Sequence, residues 1–503
     1  MIKYENKNDI VRFCSSYLHD ESRMKGETEA LYFPESFDEL VSLVRELAKE
    51  EEKFTISSGR TGITGGAVPQ GGVLISLEKM DNILGIEQNE ETSRMHLRVQ
   101  AGVTLNSIND FISKYKFING KEYLFPVDPT EPAACAGGMA AVNASGARSF
   151  RNGSLRNHVF AATVILPDGE VLGMTRGMFL AEDDKICFSS IRGKDYELRI
   201  EKTSFSDIKN NAGYFYKPGM DLLDLFIGSE GTLGIITEIE VMLVEKRQLE
   251  FPFMAFFKDE GSAIDCVQTL RDRQEVLAIE YFGPESIELL KKKQEENPRI
   301  SLPALKNFYN AALLVDIGLV EGDLENAILA LKPVLERHSS SLDDTWDGSI
   351  NKDSERLKLF RHLVPETINA LIGKVNQKHP EIVKLGTDIA VPDNTFREML
   401  SFYRQKLDEA KLQYVLFGHI GDSHVHVNII PKDPEEYGRG KEIVRQFVIK
   451  AVSLGGTVSG EHGIGKIKKP YLELMYSEKD LESMRRVKRF FDPAGLLNSG
   501  NVL

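Results

Sequence analysis

The sequence predicts an α+β protein of more than one domain, on three observations. Its 503 residues exceed what a single core usually encloses, so two or three domains are expected. Strand-like runs alternate with helical periodicities through residues 250–450, with no internal repeat. A glycine-rich loop lies between two strands rather than between a strand and a helix, the order that a dinucleotide-binding Rossmann turn requires.

The elements follow in order. Pro34-Glu35-Ser36-Phe37-Asp38-Glu39 opens a helix, with Ser36 and Glu39 spaced as a capping box and Leu40, Val41, Val44 and Leu47 recurring on one face. A short strand at 54–58 leads into Gly59-Arg60-Thr61-Gly62-Ile63-Thr64-Gly65-Gly66, and a second strand follows at 72–77. Glycines here let a backbone approach a pyrophosphate and turn its amides inward; the alternative is a flexible surface loop. A second small-residue stretch, Ala136 to Gly146, follows Phe125-Pro126-Val127-Asp128-Pro129. A flat ligand could lie close to its main chain, with Asn143 and Ser145 offering side-chain hydrogen bonds. Residues 159–166 read as a strand ending at the Pro167-Asp168-Gly169 turn, and 170–208 as a polar excursion of strands and loop. Beyond Arg247 the composition shifts to a separate α+β domain, with strands at 251–257, 312–317 and 389–392 and helices at 327–337 and 396–412. The last stretch, 456–503, carries Glu461-His462 and one charged helix.

Composition narrows the function. A net charge of −14 argues against nucleic acid, whose binders show a basic footprint. It does not exclude a phosphate-bearing cofactor, because backbone N–H groups hold phosphates without net positive charge. Cys14, Cys135, Cys187 and Cys266 form no Cys-x-x-Cys pair, which excludes a local iron–sulfur or zinc-ribbon motif. No signal-peptide or membrane-spanning run is present, so a cytoplasmic setting is expected, with contact at a membrane periphery left open. The basic cluster Lys466, Lys468, Lys469, Arg485, Arg486, Lys488 and Arg489 reads as a solvated helix face or as a docking face for an acidic electron carrier or a lipid surface.

Three of the ten histidines, His419, His424 and His426, fall within eight residues, and His462 stands beside Glu461. Imidazole and carboxylate are ligands that a borderline divalent metal selects, and imidazole also moves protons near neutral pH.

Together these segments resemble the FAD-linked oxidase family with a vanillyl-alcohol-oxidase-type flavin domain. The nearest branch holds D-lactate dehydrogenases, the glycolate oxidase flavin subunit and D-2-hydroxyglutarate dehydrogenase. The resemblance runs from about residue 30 to 502, most specifically at 228–234 (GSEGTLG), at Gly418-His419 with His426, and at 459–465 (SGEHGIG). It implies a two-subdomain FAD-binding domain at 1–247, an α+β substrate (cap) domain with an antiparallel sheet at 248–455, and a C-terminal segment at 456–503 returning to the FAD domain. FAD would meet Ser58, Gly59, Arg60, Thr61, Gly62, Thr64, Gly65 and Gly66 around the pyrophosphate. Pro126, Asp128, Gly137, Gly138, Asn143, Ser145, Gly146, Ile236 and Asn498 would complete the cofactor site. No histidine stands between Gly59 and Gly72, so the flavin is expected to be non-covalent.

The resemblance also assigns a divalent metal, zinc, to His419, His426 and Glu461, and the general base to His462. His424, His426 and Asn428 would share one strand face; His424 could be an extra ligand, a neighbour supporting the ligands, or a bystander. Arg361, Lys384 and Asn428 are the substrate-binding candidates, with a surface ion pair as the alternative for the two cations. The implied reaction is FAD-dependent dehydrogenation of a small D-2-hydroxy acid. The electrons would pass to an external acceptor: a quinone, an electron-transfer flavoprotein or a separate iron–sulfur subunit. A homodimer is compatible with this reading. The alternatives are an oxygen-using flavin oxidase and, from another class, a zinc hydrolase.

Overall fold

The structure is a computed structural model that describes every residue except 118, 202–207, 303–304, 321–323 and 349–350. Residues 202–207 of the polar excursion expected at 170–208 therefore lie outside the described residues. Two compact units emerge: Met1–Gly146, Gly153–Lys246 and Ser459–Leu503 form the first, and Ala147–Asn152 with Arg247–Val458 the second.

The first unit contains two larger sheets. One runs Ile2–Tyr4, Ala30–Phe33, Val73–Ser76, Phe54–Ser57, with the last three strands parallel. The other is antiparallel, in the order Ile83–Gln88, Met95–Gln100, Ile235–Met242, Val159–Ile165, Val171–Thr175. The helix Phe37–Lys49 starts as the sequence predicts, Ser36 accepting from the Glu39 N–H at 3.3 Å. The other half of the box is displaced: the Glu39 carboxylate accepts from the Glu35 N–H instead. The buried stripe of this helix, Leu40, Val44 and Leu47, packs in one core with Phe54, Ile75, Ile165 and Ile235. Each such side chain contributes roughly 1.5–3 kcal/mol of burial. That core fixes the strands on either side of the glycine loop.

The second unit is built on a seven-stranded antiparallel sheet ordered Thr345–Asp347, Leu249–Phe257, Ala311–Leu319, Val276–Phe282, Tyr414–Gly418, His426–Ile429, Leu385–Gly386. Phe251 and Phe253 to Phe257 are all buried, which explains their unbroken apolar run. The helix Asn351–Asn376 carries Arg361 and packs Leu357, Phe360 and Val364 into the core. Pro365, inside this helix, lacks the N–H that would bond the Arg361 carbonyl.

Two expectations need correction. Residues 389–392 form no strand; Ala390 makes only isolated bridges, to His424 and Thr457. His424 likewise precedes the strand His426–Ile429, so it does not belong to one strand face with His426 and Asn428. Gly418, at φ +138°, and Ser423, at φ +51°, bend the chain between the two strands and pull His424 out of register.

Candidate functional site

In the first unit, Glu461 and His462 sit on a loop that the glycine-rich segment helps to build. Gly465 has φ +51°, and a Cβ there would lie 2.2 Å from the Thr64 carbonyl oxygen. That same oxygen accepts from the N–H of Lys466 at 2.9 Å and of Ile467 at 3.2 Å. Across the loop the buried Glu230 carboxylate accepts from the Ile464 and Gly465 N–H groups at 2.6 and 2.7 Å. Burial pushes Glu230 up to about 7, against the opposing pull of those two donors. Asn211 closes the other side, its amide nitrogen donating to the Glu461 carbonyl at 2.7 Å and its N–H to the Ser459 carbonyl at 2.8 Å. The Glu461 carboxylate accepts from Ser145 Oγ at 3.0 Å and from Lys209 Nζ at 2.5 Å.

The residues expected to hold the cofactor divide by environment. Gly138 has open space where a Cβ would stand, and at Gly62 nothing comes nearer than 3.9 Å. Their bare backbones can meet a ligand. At Gly59, Gly137 and Gly146 a Cβ would strike Ala133, Ala101 and Asp128 within 2.4–2.6 Å, so these glycines serve close packing of the protein on itself. The buried Ser57 and Ser76 hydroxyls have no hydrogen-bond partner, and such orphans in the strands bounding the glycine loop suit a polar ligand.

Other assignments turn inward. Asn143, at φ +52°, donates to Asn211 Oδ1 and accepts from the Arg156 N–H. Ser145 is directed at Glu461. Asn498 accepts from the Ile56 N–H at 2.7 Å and donates to the Glu230 carbonyl at 3.0 Å, tying strand to loop. Arg60 donates to the Ser58 carbonyl, pairs with Glu78 and lies 4.0 Å over the Tyr17 ring. Ser58, Ile236, Thr64 and Asp128 lie in the same unit, as do Thr61, Gly65, Gly66 and Pro126. The basic cluster is largely absorbed: Lys488 is bound to Asp492 and two carbonyls, Lys468 to Ser459, and Arg485, Arg486 and Arg489 to acidic neighbours. Lys466 is half-buried with its ammonium on the Gly65 carbonyl and Asn501, and desolvation lowers it to about 8.

The second unit brings the histidines together. The rings of His419, His424 and His426 lie pairwise 4.7–5.7 Å apart between centroids. His419 Nδ1 bonds the Glu280 carboxylate, and His426 Nδ1 bonds the Thr387 carbonyl at 3.0 Å. Both partners can only accept, so each Nδ1 carries the proton and each Nε2 keeps its lone pair, the arrangement that metal-ligating histidines show. The residues therefore fit a divalent metal from this side. Glu280 was missed by the sequence reading, although a charge within the apolar run Val276–Phe282 was its signal. Its second oxygen stands 3.6 Å from Arg361 Nε, so one carboxylate joins a candidate ligand to the candidate substrate arginine. Asn428, 2% exposed, has its amide nitrogen buried without a partner. Lys384 is exposed and precedes the edge strand Leu385–Gly386. Arg271, also unforeseen, pins the histidine turn through the Ile420 and Gly421 carbonyls and Ser423.

Comparison with known proteins adds the family. Residues 252–502 match the FAD linked oxidases, C-terminal domain, and residues 28–175 match the FAD binding domain. The chain belongs to the FAD-linked oxidase family. It is an FAD-linked oxidoreductase, and the zinc-hydrolase alternative falls away. A D-lactate dehydrogenase of Anaerostipes hadrus is 29% identical, the match covering 97% of this chain and 92% of that protein. The glycolate oxidase subunit GlcD of Bacillus subtilis is 25% identical, with 99% and 94% covered. A D-2-hydroxyglutarate dehydrogenase of Stutzerimonas stutzeri is also 25% identical, with 94% and 90% covered. Among solved structures, p-cresol methylhydroxylase with substrate bound gives a TM-score of 0.70 at 15% identity, covering 99% of this chain and 93% of that one. This likeness shows the fold, and it is the flavin-domain fold expected from the sequence.

Proposed function

We propose that this FAD-linked oxidoreductase dehydrogenates a small D-2-hydroxy acid to the 2-oxo acid. The observation that carries the reading is the second unit's pair of histidines with lone-pair Nε2 atoms, one of which, His419, shares the Glu280 carboxylate with Arg361. The names of the relatives support it: D-lactate dehydrogenase, glycolate oxidase subunit and D-2-hydroxyglutarate dehydrogenase. Bound FAD would supply the hydride acceptor, and one divalent metal, zinc by its ligand set, the Lewis acid for the substrate hydroxyl. His419, His426 and Glu461 are assigned to the metal. Arg361 binds the substrate carboxylate through its planar fork, with Lys384 and Asn428 as further substrate contacts. His462 takes the hydroxyl proton as the Cα hydrogen leaves with its electron pair, so the C–O bond becomes C=O.

FAD is held non-covalently, and the two electrons leave to an external acceptor: a quinone, an electron-transfer flavoprotein or a separate iron–sulfur subunit. Among the described residues no helix is long and apolar enough to cross a membrane. The test is anaerobic bleaching of the flavin band by D-lactate, D-2-hydroxyglutarate and glycolate. His462→Ala lowers the bleaching rate by ~10²–10⁴, the scale of a lost general base, while FAD content is unchanged. An unimpaired variant refutes the assignment of the base.

A further inference from the structure

Beside the glycine loop of the first unit lies a buried acid that none of the roles above uses. Asp20 is 4% exposed. Its Oδ1 accepts from the Ser22 N–H at 2.9 Å, and its backbone carbonyl accepts from the Arg23 N–H at 3.1 Å, which closes a tight turn. Its Oδ2 is buried and has no hydrogen-bond partner. The Ser22 hydroxyl, the Lys466 ammonium and the Gly65 amide stand near enough to favour the charged carboxylate, yet none is in bonding geometry with Oδ2. Buried acceptors are nearly always satisfied, so this one calls for a donor that the chain does not supply.

The turn is built against the loop. The Gly26 N–H donates to the Leu18 carbonyl at 2.7 Å, and the Glu27 N–H donates to the Pro69 carbonyl at 3.1 Å. A Cβ at Gly26 would lie 2.4 Å from that Pro69 oxygen, so the two segments touch backbone to backbone. Met24 Sδ reaches within 3.0 Å of where a Gly65 Cβ would stand. At Gly62 the nearest atom to a Cβ, at 3.9 Å, is Asp20 Oδ2 itself. Gly62 is exposed, so the bare backbone at which a ligand can arrive has the orphan oxygen at its side.

Chemistry selects the group that this oxygen meets. A carboxylate only accepts, and so does a phosphate diester, so Oδ2 has nothing to offer a pyrophosphate. The groups that flank the pyrophosphate in FAD are the ribose and ribityl hydroxyls, and each can donate. An acidic side chain on a ribose hydroxyl is also how dinucleotide-binding turns of another fold hold their sugar. Lys466, whose ammonium rests on two neutral acceptors, the Gly65 carbonyl and Asn501, offsets the negative charge gathered here.

We propose that Asp20 is a cofactor-binding residue, its Oδ2 accepting a hydrogen bond from a ribose or ribityl hydroxyl of FAD seated at Gly62. The inference rests on FAD binding, and not on the substrate, metal or base assigned above.

The experiment strips the flavin from the full chain and titrates FAD back, following the quenching of flavin fluorescence. Asp20→Asn keeps an oxygen for the Ser22 N–H and places an NH₂ where Oδ2 stood, so the turn survives while the charged acceptor is lost. The Kd for FAD rises about fivefold in Asp20→Asn and at least tenfold in Asp20→Ala, since hydrogen bonds to a charged group are roughly twice as strong as neutral ones. Gly62→Ala, whose methyl group meets no protein atom closer than 3.9 Å, also weakens FAD because it fills the approach. Unchanged thermal unfolding of the flavin-free proteins shows that the variants are folded; should Asp20→Ala unfold, Asp20→Asn carries the test. ADP and FMN, titrated separately, locate the hydroxyl: weakening of ADP by Asp20→Asn assigns it to the ribose, and weakening of FMN to the ribityl chain. Unchanged FAD affinity in both Asp20 variants overturns the inference, because the acid then serves only its turn. Tighter FAD binding in Asp20→Asn overturns it as well, since an acceptor on the cofactor must then face this position. Bleaching of the reloaded parent by hydroxy acids is read separately, so failure of the proposed reaction and failure of this inference are distinguishable.

Discussion

Glu280 shows how one buried carboxylate can serve two tasks. It accepts from His419 Nδ1 and pairs with Arg361 Nε at 3.6 Å, with its side chain only 6% exposed. A carboxylate at that depth is costly unless paired, and here a cation and an imidazole N–H share it. Glu280→Gln keeps the shape but withdraws the charge, and one of the two partners then faces an amide NH₂. The expected outcome is a rise in the KM for the hydroxy acid together with a 10–100-fold weaker metal affinity, because a partner behind a ligand sets ring orientation. Steady-state kinetics and a metal titration on the same preparation check it. A fall in kcat alone, with KM and metal unchanged, would show that Glu280 orients neither group. Glu280→Asp, which restores the charge at shorter reach, should recover part of both.

The loop at 459–465 and the helix at 37–49 show what the sequence made legible and what it hid. Helix, glycine loop and flanking strands could be read because their signals are local: a 3.6-residue apolar stripe, a cap, and glycines between β-rich runs. Asn143 and Ser145 were read as ligand contacts because their residue types suit it, yet their partners Asn211 and Glu461 stand 68 and 316 positions away. Residue type could not reveal partners so distant in the chain. Glu230 was visible only as part of a glycine-rich motif; its role in fastening the N–H groups of Ile464 and Gly465 depends on tertiary contact. That role carries a pH consequence. Its folded pKa is raised to about 7, so between about 4.5 and 7 the native state binds more protons than the unfolded one. Stability contributed by this group is full below the unfolded value and falls as pH rises through 7, by up to about 3 kcal/mol. In Glu230→Gln the unfolding free energy should therefore depend less steeply on pH across that window, by denaturant titration at several pH values. An unchanged slope would place the titration elsewhere.

Across the whole chain the assigned chemistry divides by unit: the flavin elements and Glu461-His462 lie in the first, and the histidine turn with Arg361 in the second. The proposal therefore predicts separable losses. His426→Ala should lose metal and turnover yet keep its FAD, and denaturation of the parent should release the flavin, since no attachment histidine stands between Gly59 and Gly72. The same division predicts handedness. Four substituents surround the reacting carbon. On the proposed assignments Arg361 holds the carboxylate, the metal and His462 fix the hydroxyl, and the hydrogen must face the flavin. Three fixed directions leave the fourth substituent one place to go, so one enantiomer reacts, the D form on the proposed function. Near-attack geometry is worth orders of magnitude, because a displacement of about 1 Å can cost about 100-fold. Anaerobic D-lactate should thus bleach the flavin at least about 100-fold faster than L-lactate, and Arg361→Ala should narrow that ratio by freeing the carboxylate. Equal rates for the two enantiomers in the parent protein would mean that carboxylate and hydroxyl are not held together, and the mechanism would fail at its central step.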